Sequence, residues 1–350
     1  MKNAKKVLNM ILAVLLGFSF SVLTSCERAI DDIDVASIHV ERANPLISAE
    51  ELMELIDNRE PNLIIIGVID PIAEANPQSI SSRPIHGSFL VWRPDYSAAG
   101  STEAIAREIS GIRRSRAEME LLLSRADIRP YSRIIVYAGE AQNDAARFFW
   151  QLRLLGLQNI SLLNGGLTAW NAQGFPTGIA VRLAEQFPVT RFVAPNYAPQ
   201  NYNVSMNNVW AALMNPAQWV VIDTRAPVEF NGGMAPGMAG SFGTGRINGA
   251  VNVNWTTNFD PGTMMIRSPE VIAALYDSVI LNRGVIVHCV AGIRAAHTWF
   301  VLSEVLGIPN VYLYNGGWVE WSFAASEASG NRWQEILSQT LEWNDNRMPL

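Results

Sequence analysis

From Ile47 onward the chain alternates short, wholly apolar runs with longer stretches in which apolar residues return every three or four positions. The first pattern predicts buried strands and the second amphipathic helices. Ser48, Ala49, Glu50 and Glu51 form a capping box, and Leu52, Leu55 and Ile56 follow at helical spacing. Leu63 to Ile66 is a strand set between Pro61 and Gly67, Ile85 to Val91 a second and Arg133 to Tyr137 a third. Helices are predicted over Ala104 to Leu123 and Asp144 to Leu155. In the second half Ser205 caps a helix from Met206 to Met214, and Trp219 to Asp223 is a strand ending in an acid. Gly284 to His288 runs as a strand into Cys289, and a helix opens near Arg294. Strands and helices alternating at this spacing predict parallel sheets covered by helices, an α/β fold.

The pattern repeats. Leu155 to Trp170 aligns with Leu306 to Trp321, identical at eight of sixteen positions, and the same offset of 151 places Ile134 to Ala138 against Val285 to Cys289. Two copies of one fold are the simplest explanation. The first copy therefore has Ala138 where the second has Cys289, and Gly67 stands about where the second has Asp223. The first copy also brings Glu140 and Asp144 to its loop, the wrong sign for an anion site. It is expected to be catalytically inactive, a scaffold covering one side of the second copy.

Length and composition fit this division. The chain has 350 residues, 49% apolar and 17% charged, enough for two domains with real cores. A net charge of −6 without basic clustering gives no nucleic-acid footprint. Lys2, Lys5 and Lys6 precede an almost wholly apolar Val7 to Val22, which reads as an export signal. Leu23, Thr24, Ser25 and Cys26 are similar to the bacterial lipobox, which implies that Cys26 is lipidated and becomes the mature N-terminus; a plain secretory signal is the alternative. The boundaries follow: a signal over 1–25, a tether over 26–44, an inactive domain over 45–178, a linker over 179–203 carrying Pro188, Pro195 and Pro199, a second domain over 204–325 and a tail over 326–350. The chain has two cysteines, so with Cys26 lipidated Cys289 is the single remaining thiol, a candidate reactive site in an exported protein.

Candidate chemistry concentrates at Cys289, Val290, Ala291, Gly292, Ile293, Arg294 and Ala295. A cysteine between a strand end and a helix start meets converging N–H groups and the positive end of a helix dipole, which favour the thiolate. The competing reading is an inert core cysteine, since free cysteines are among the most buried residue types. His288, on a strand end beside Cys289, should point to the opposite face, and His297 should pack in the helix. Asp223 and Arg225 suggest a structural ion pair at the strand end, with Arg225 and Arg246 as candidate substrate-binding cations. Asn231 to Gly245 carries six glycines without the Gly-Lys-Ser/Thr ending of a phosphate loop, so it reads as an insertion near the rim of the site.

Cys289 to Arg294 resembles the six-residue active-site loop of the rhodanese-like sulfurtransferases. Val221 to Arg225 resembles that family's Asp-x-Arg strand end, Gly245 to Ala250 its Gly-His-Ile-Pro-Gly-Ala segment with Arg246 and Asn248 departing from it, and Asn315 to Trp318 its closing Gly-Gly turn. The resemblance implies two tandem rhodanese-like domains, the first inactive. It implies that Cys289 takes a sulfane sulfur from a small anionic donor, thiosulfate or 3-mercaptopyruvate, as a persulfide and passes it to cyanide or a thiol, without a metal or organic cofactor. Residues 290–295 would then hold the persulfide anion. Two other readings stay open: a non-enzymatic surface or periplasmic binding lipoprotein, and a phosphatase of the same fold. Phosphatases of that kind place five residues between Cys and Arg, whereas Val290 to Ile293 are four.

Overall fold

A computed structural model describes residues 40–99, 110–139, 141–195, 202–234 and 243–326. The segment expected to be an export signal, Cys26, most of the expected tether, residues 235–242 of the glycine-rich insertion, Glu140 and the tail beyond Ser326 lie outside the described residues.

The first copy is built on β1 (Leu46–Ile47), β2 (Leu63–Val68) and β3 (Phe89–Val91), then the antiparallel hairpin β4 (Ser97–Ala99) and β5 (Ser110–Arg113), then β6 (Arg133–Ala138), β7 (Ile160–Leu163) and β8 (Val181–Arg182). The second is built on β9 (Asn203–Val204), β10 (Trp219–Asp223), β11 (Val251–Asn252), β12 (Gly284–His288) and β13 (Val311–Tyr314). The first sheet runs β1-β7-β6-β2-β3-β8 and the second β9-β13-β12-β10-β11, every pair parallel. Without β8 the two orders are the same, strand for strand, as the internal repeat requires. The largely apolar β2, β6, β10 and β12 occupy interior positions because a parallel strand covered on both faces has no water-facing side.

Register fixes a detail that the offset only approximated. Gly67 pairs with Tyr137 and Asp223 pairs with His288, so Gly67 holds the Asp223 position in the first sheet. A Cβ on Gly67 would lie 2.6 Å from the Tyr137 ring, whose hydroxyl accepts from Ile85 N and bonds the Ser88 hydroxyl. An apolar and hydroxyl filling there replaces the acid of the second copy.

Residues 40–326 fall within one compact unit, and the two copies share a core. The helix Asn143–Leu154 of the first copy packs against Ile293–Trp299 of the second, which runs on into π-helical turns over Phe300–Val305. Phe149 and Phe300 meet edge to face at 4.9 Å, and Arg153 pairs with Glu304. Both pairs are related by the repeat offset of 151. Positions equivalent in the two copies thus touch each other, the signature of an approximate twofold axis through this helix pair. The same relation governs the loops that cross over. Asn315 Oδ1 accepts from Arg113 N in the first copy's hairpin, and the equivalent Asn164 Oδ1 accepts from Ile266 N, where Phe259 and Ile266 form an antiparallel bridge.

Three predicted elements differ. The helix expected from Ala104 to Leu123 is instead β5 followed by a helix over Arg116–Leu123, because Ser115 and Glu118 form a capping box that starts the helix there; residues 100–109 lie outside the described residues. The strand expected from Ile85 is reduced to Phe89–Val91, since Ile85 instead bridges Thr177 and Gly87 adopts φ +78. The linker is not free of structure: β8 within it pairs with β3 and extends the first sheet by one edge strand.

Candidate active site

The Cys289 loop is shaped by where its carbonyls are tied. His288 C=O accepts from Thr224 N and Oγ1 at 2.9 and 3.0 Å, Cys289 C=O from Trp318 N at 2.8 Å, and Val290 C=O from Val319 N at 3.0 Å. In a trans peptide the N–H points opposite to the C=O. The N–H groups of Cys289, Val290 and Ala291 are therefore turned away from the segments that anchor those carbonyls. Among the described residues, the N–H groups of Val290, Ala291 and Gly292 donate to no backbone carbonyl. Gly292 closes the loop at φ +76, a conformation that glycine adopts without strain, and Ile293 opens the helix. Gly317, at φ +56, lets the Gly-Gly turn press on the loop from outside, where a Cβ would lie 2.5 Å from Val290 O.

The Cys289 thiol is free of any disulfide and 1% exposed. Much of its surroundings is hydrocarbon, and Val290 and Ala291 pack with Val319 and, from the first copy, Ile112 of β5. The first copy's hairpin thus covers one side of the second copy's loop. The charges nearby come from arginines. Arg294 makes a two-pronged pair with Glu229, at 2.6 and 2.9 Å. Burial works against the charge on each partner, but the pairing dominates, holding Glu229 below the usual carboxylate range and raising Arg294, to which the nearby Cys289 also contributes. Ala295 lies fully buried in the first turn of the helix.

Asp223 and Arg225 form the strand-end ion pair, with Arg225 Nε and Nη2 on the carboxylate at 2.6 to 3.0 Å. Burial disfavours the Asp223 carboxylate, yet His288 and Arg225 hold its pKa below the ordinary value. Arg225 is one of the two candidate substrate-binding cations. It is 0% exposed, donates also to Gly245 O and lies 4.9 Å over the Trp318 ring, so Nε and Nη2 tie the loops together, while Nη1 is buried without a hydrogen-bond partner among the described residues. Arg246 is half-buried over the Phe230 ring at 4.9 Å. His288 turns its ring to the Asp223 side, with Nε2 3.7 Å from Oδ2, and burial keeps its pKa low in spite of that neighbour. His297 is enclosed between Trp255 and Phe259, and burial pushes it down to about 3. Neither imidazole is a base for the thiol in this arrangement. Among the described residues no three His, Cys, Asp or Glu side chains are grouped to hold a metal.

The equivalent loop of the first copy is occupied from within. Gln142 Oε1 accepts from Ala138 N at 3.2 Å, and the Gln142 amide fills the space against Gly166. Asp144 is drawn away to Arg93 and the Tyr96 hydroxyl at 2.8 to 2.9 Å. One participant was not singled out from the sequence. Arg147 of the first copy reaches Asn315 and lies against Gly292. The available signal was a cation directly flanked in sequence by Ala145, Ala146, Phe148 and Phe149, within a helix that the structure buries.

This architecture has known counterparts. The rhodanese-like domain profile matches residues 41–173 and again 206–324. A thiosulfate sulfurtransferase of Corynebacterium glutamicum is 31% identical over 57% of this chain and 66% of its own length. A thiosulfate sulfurtransferase of Pseudomonas aeruginosa is 30% identical over 60% of this chain and 74% of its own. The match thus spans about two thirds to three quarters of these relatives. Among solved structures, Escherichia coli SseA, described as having the rhodanese fold of 3-mercaptopyruvate sulfotransferases, superposes with a TM-score of 0.62 at 21% identity, covering 79% of this chain and 99% of that one. With both halves matched and both sheets wound in the same strand order, the chain belongs to the rhodanese-like family and carries two copies of its domain.

Proposed function

We propose that this protein is a sulfurtransferase that moves a sulfane sulfur from a small anionic donor, thiosulfate or 3-mercaptopyruvate, to cyanide or a thiol through a persulfide on Cys289. The observation that carries this reading is the anchoring of the loop carbonyls, which turns the N–H groups of Val290 and Ala291 away from the Gly-Gly turn and leaves them without a backbone acceptor in the loop that follows a free thiol. Oriented amides of this kind stabilise an anion without reorganising during the reaction. In the first half-reaction the Cys289 thiolate attacks the outer sulfur of thiosulfate. A new sulfur–sulfur bond forms, the donor's sulfur–sulfur bond breaks, and sulfite leaves with the electron pair. In the second, cyanide attacks the terminal sulfur and leaves as thiocyanate, returning the thiolate. The names of the two sulfurtransferase relatives and the six-residue length of the loop both favour sulfur transfer over phosphate chemistry.

The near-complete burial of Cys289 fits a carrier whose persulfide must be kept from stray thiols, and it requires the covering side chains to move when a donor enters. Incubation with thiosulfate or 3-mercaptopyruvate should add one sulfur, about 32 Da, to the intact chain, and Cys289→Ser should abolish both this mass shift and thiocyanate production. Unchanged turnover in that variant would remove Cys289 from the mechanism. We also propose export and lipid anchoring through Cys26, which rests on the N-terminal sequence pattern.

A further inference from the structure

Of the three arginines buried among the described residues, Arg147, Arg153 and Arg225, Arg147 alone has no carboxylate partner. It stands on the first copy's helix, 0% exposed, with its guanidinium 4.6 Å over the Trp150 ring. Nη2 donates to Asn315 Oδ1 and to Gly111 O. Nε and Nη1 are buried and, among the described residues, donate to nothing, and no described carboxylate pairs with the group. Nη1 lies against the turn of the Cys289 loop, 2.7 Å from where a Cβ on Gly292 would sit. A buried guanidinium without a counter-ion costs several kcal/mol, an arrangement that a purely structural role does not reward. The other two arginines of the site are already neutralised, Arg225 by Asp223 and Arg294 by Glu229.

The approximate twofold makes this more specific. The position equivalent to Arg147 in the second copy is Thr298, whose hydroxyl accepts from Asn258 within its own copy. A cation is thus offered across the interface to the loop that has a thiol and not to the loop that has Ala138. Burial lowers the Arg147 pKa to about 10, with Tyr96, Cys289 and Asp144 acting in the opposite direction and Arg113 adding to the lowering, so the group is still protonated at neutral pH.

We infer that Arg147, supplied by the copy without a nucleophile, provides the countercharge for the anion held in the 289–294 loop, whether incoming donor or terminal persulfide sulfur. The inference deepens the sulfur-transfer reading and rests on it for the identity of that anion. It also gives the first copy a chemical role, since the active loop is complete only when the Asn143–Leu154 helix is docked on it.

Two measurements test this and keep the two readings apart. In the Cys289→Ser background, where no persulfide can form, thiosulfate binding is followed by calorimetry. Arg147→Met should weaken it at least tenfold and Arg147→Lys, which keeps the charge, should recover part of the loss. With the thiol present, Arg147→Met should lower thiosulfate:cyanide kcat/KM ten- to a hundredfold while melting no lower than the parent, because an apolar side chain replaces an unpaired buried charge. Equal thiosulfate affinity in the Arg147→Met and parent chains, or no binding in either, overturns the inference. So does a loss in Arg147→Met that Arg147→Lys does not relieve and that tracks a lowered melting temperature. If the chain with its thiol gains no sulfur mass yet the Cys289→Ser chain binds thiosulfate in an Arg147-dependent way, the sulfur-transfer reading fails and the anion site stands.

Discussion

The Arg153–Glu304 pair on the approximate axis allows a quantitative prediction about how the two copies are held. Glu304 accepts from Arg153 Nε and Nη2 at 3.2 and 3.0 Å, and the two side chains are 1% and 0% exposed. Arg42, about half exposed, adds a second contact to Glu304 at 2.8 Å. Glu304→Gln removes the countercharge and leaves the buried Arg153 guanidinium with neutral acceptors only, the carbonyls of Leu157 and Gln158 among them. Breaking a buried pair from one side costs about 3 to 5 kcal/mol. At about 2 to 4 °C per kcal/mol, the melting temperature should fall by about 6 to 20 °C. Because the two positions are equivalent by the repeat, the exchange Arg153→Glu with Glu304→Arg places each group in its partner's setting. It should recover part of the loss, the remainder reflecting Arg42, which then faces an arginine, and the Leu157 and Gln158 carbonyls, which then face a carboxylate. Differential scanning calorimetry of the two single variants and the exchange closes a double-mutant cycle. A single variant that loses less than about 1 kcal/mol, or an exchange no better than the worse single variant, would refute the axial placement of this pair and its energetic weight.

Two further outcomes follow from burial and sequence. His297 titrates near 3 in the folded chain because it is enclosed, against about 6.5 when unfolded, so the unfolded chain binds the extra proton as pH falls below 6.5 and stability drops by about 1.4 kcal/mol per pH unit from this residue. Its contribution is fully present above about pH 6.5; His297→Leu should flatten the pH dependence of the urea midpoint between pH 7 and 5, and an unchanged slope would show that His297 is not the group responsible. Radiolabelled palmitate should be incorporated in a bacterial host by the parent chain and not by Cys26→Ala; equal labelling of both would remove the lipid anchor.

Much of this protein is written locally. Continuous apolar runs gave β2, β6, β10 and β12, the capping box at Ser48 gave the first helix, and the repeated segment gave two copies with one strand order, because burial on both faces and satisfaction of helix ends are properties of short stretches. The substitution of Ala138 for Cys289, and so the expected division of labour, was legible from the same alignment. Where local signals were weak, the chain was decided elsewhere: β5 stands where a helix was expected because the hairpin pairs with itself and reaches Asn315 in the other copy, a contact 202 residues distant in sequence. The fate of each charge was also hidden. Nothing in the spacing of Asp223 and Arg225 says that Arg225 ends fully enclosed, that Glu229 takes Arg294, or that Arg147 crosses from one copy to the loop of the other. A sequence specifies which side chains can carry charge and which segments must be buried; which charges face each other in a low-dielectric interior depends on how two separately wound sheets dock, and only the tertiary structure contains that.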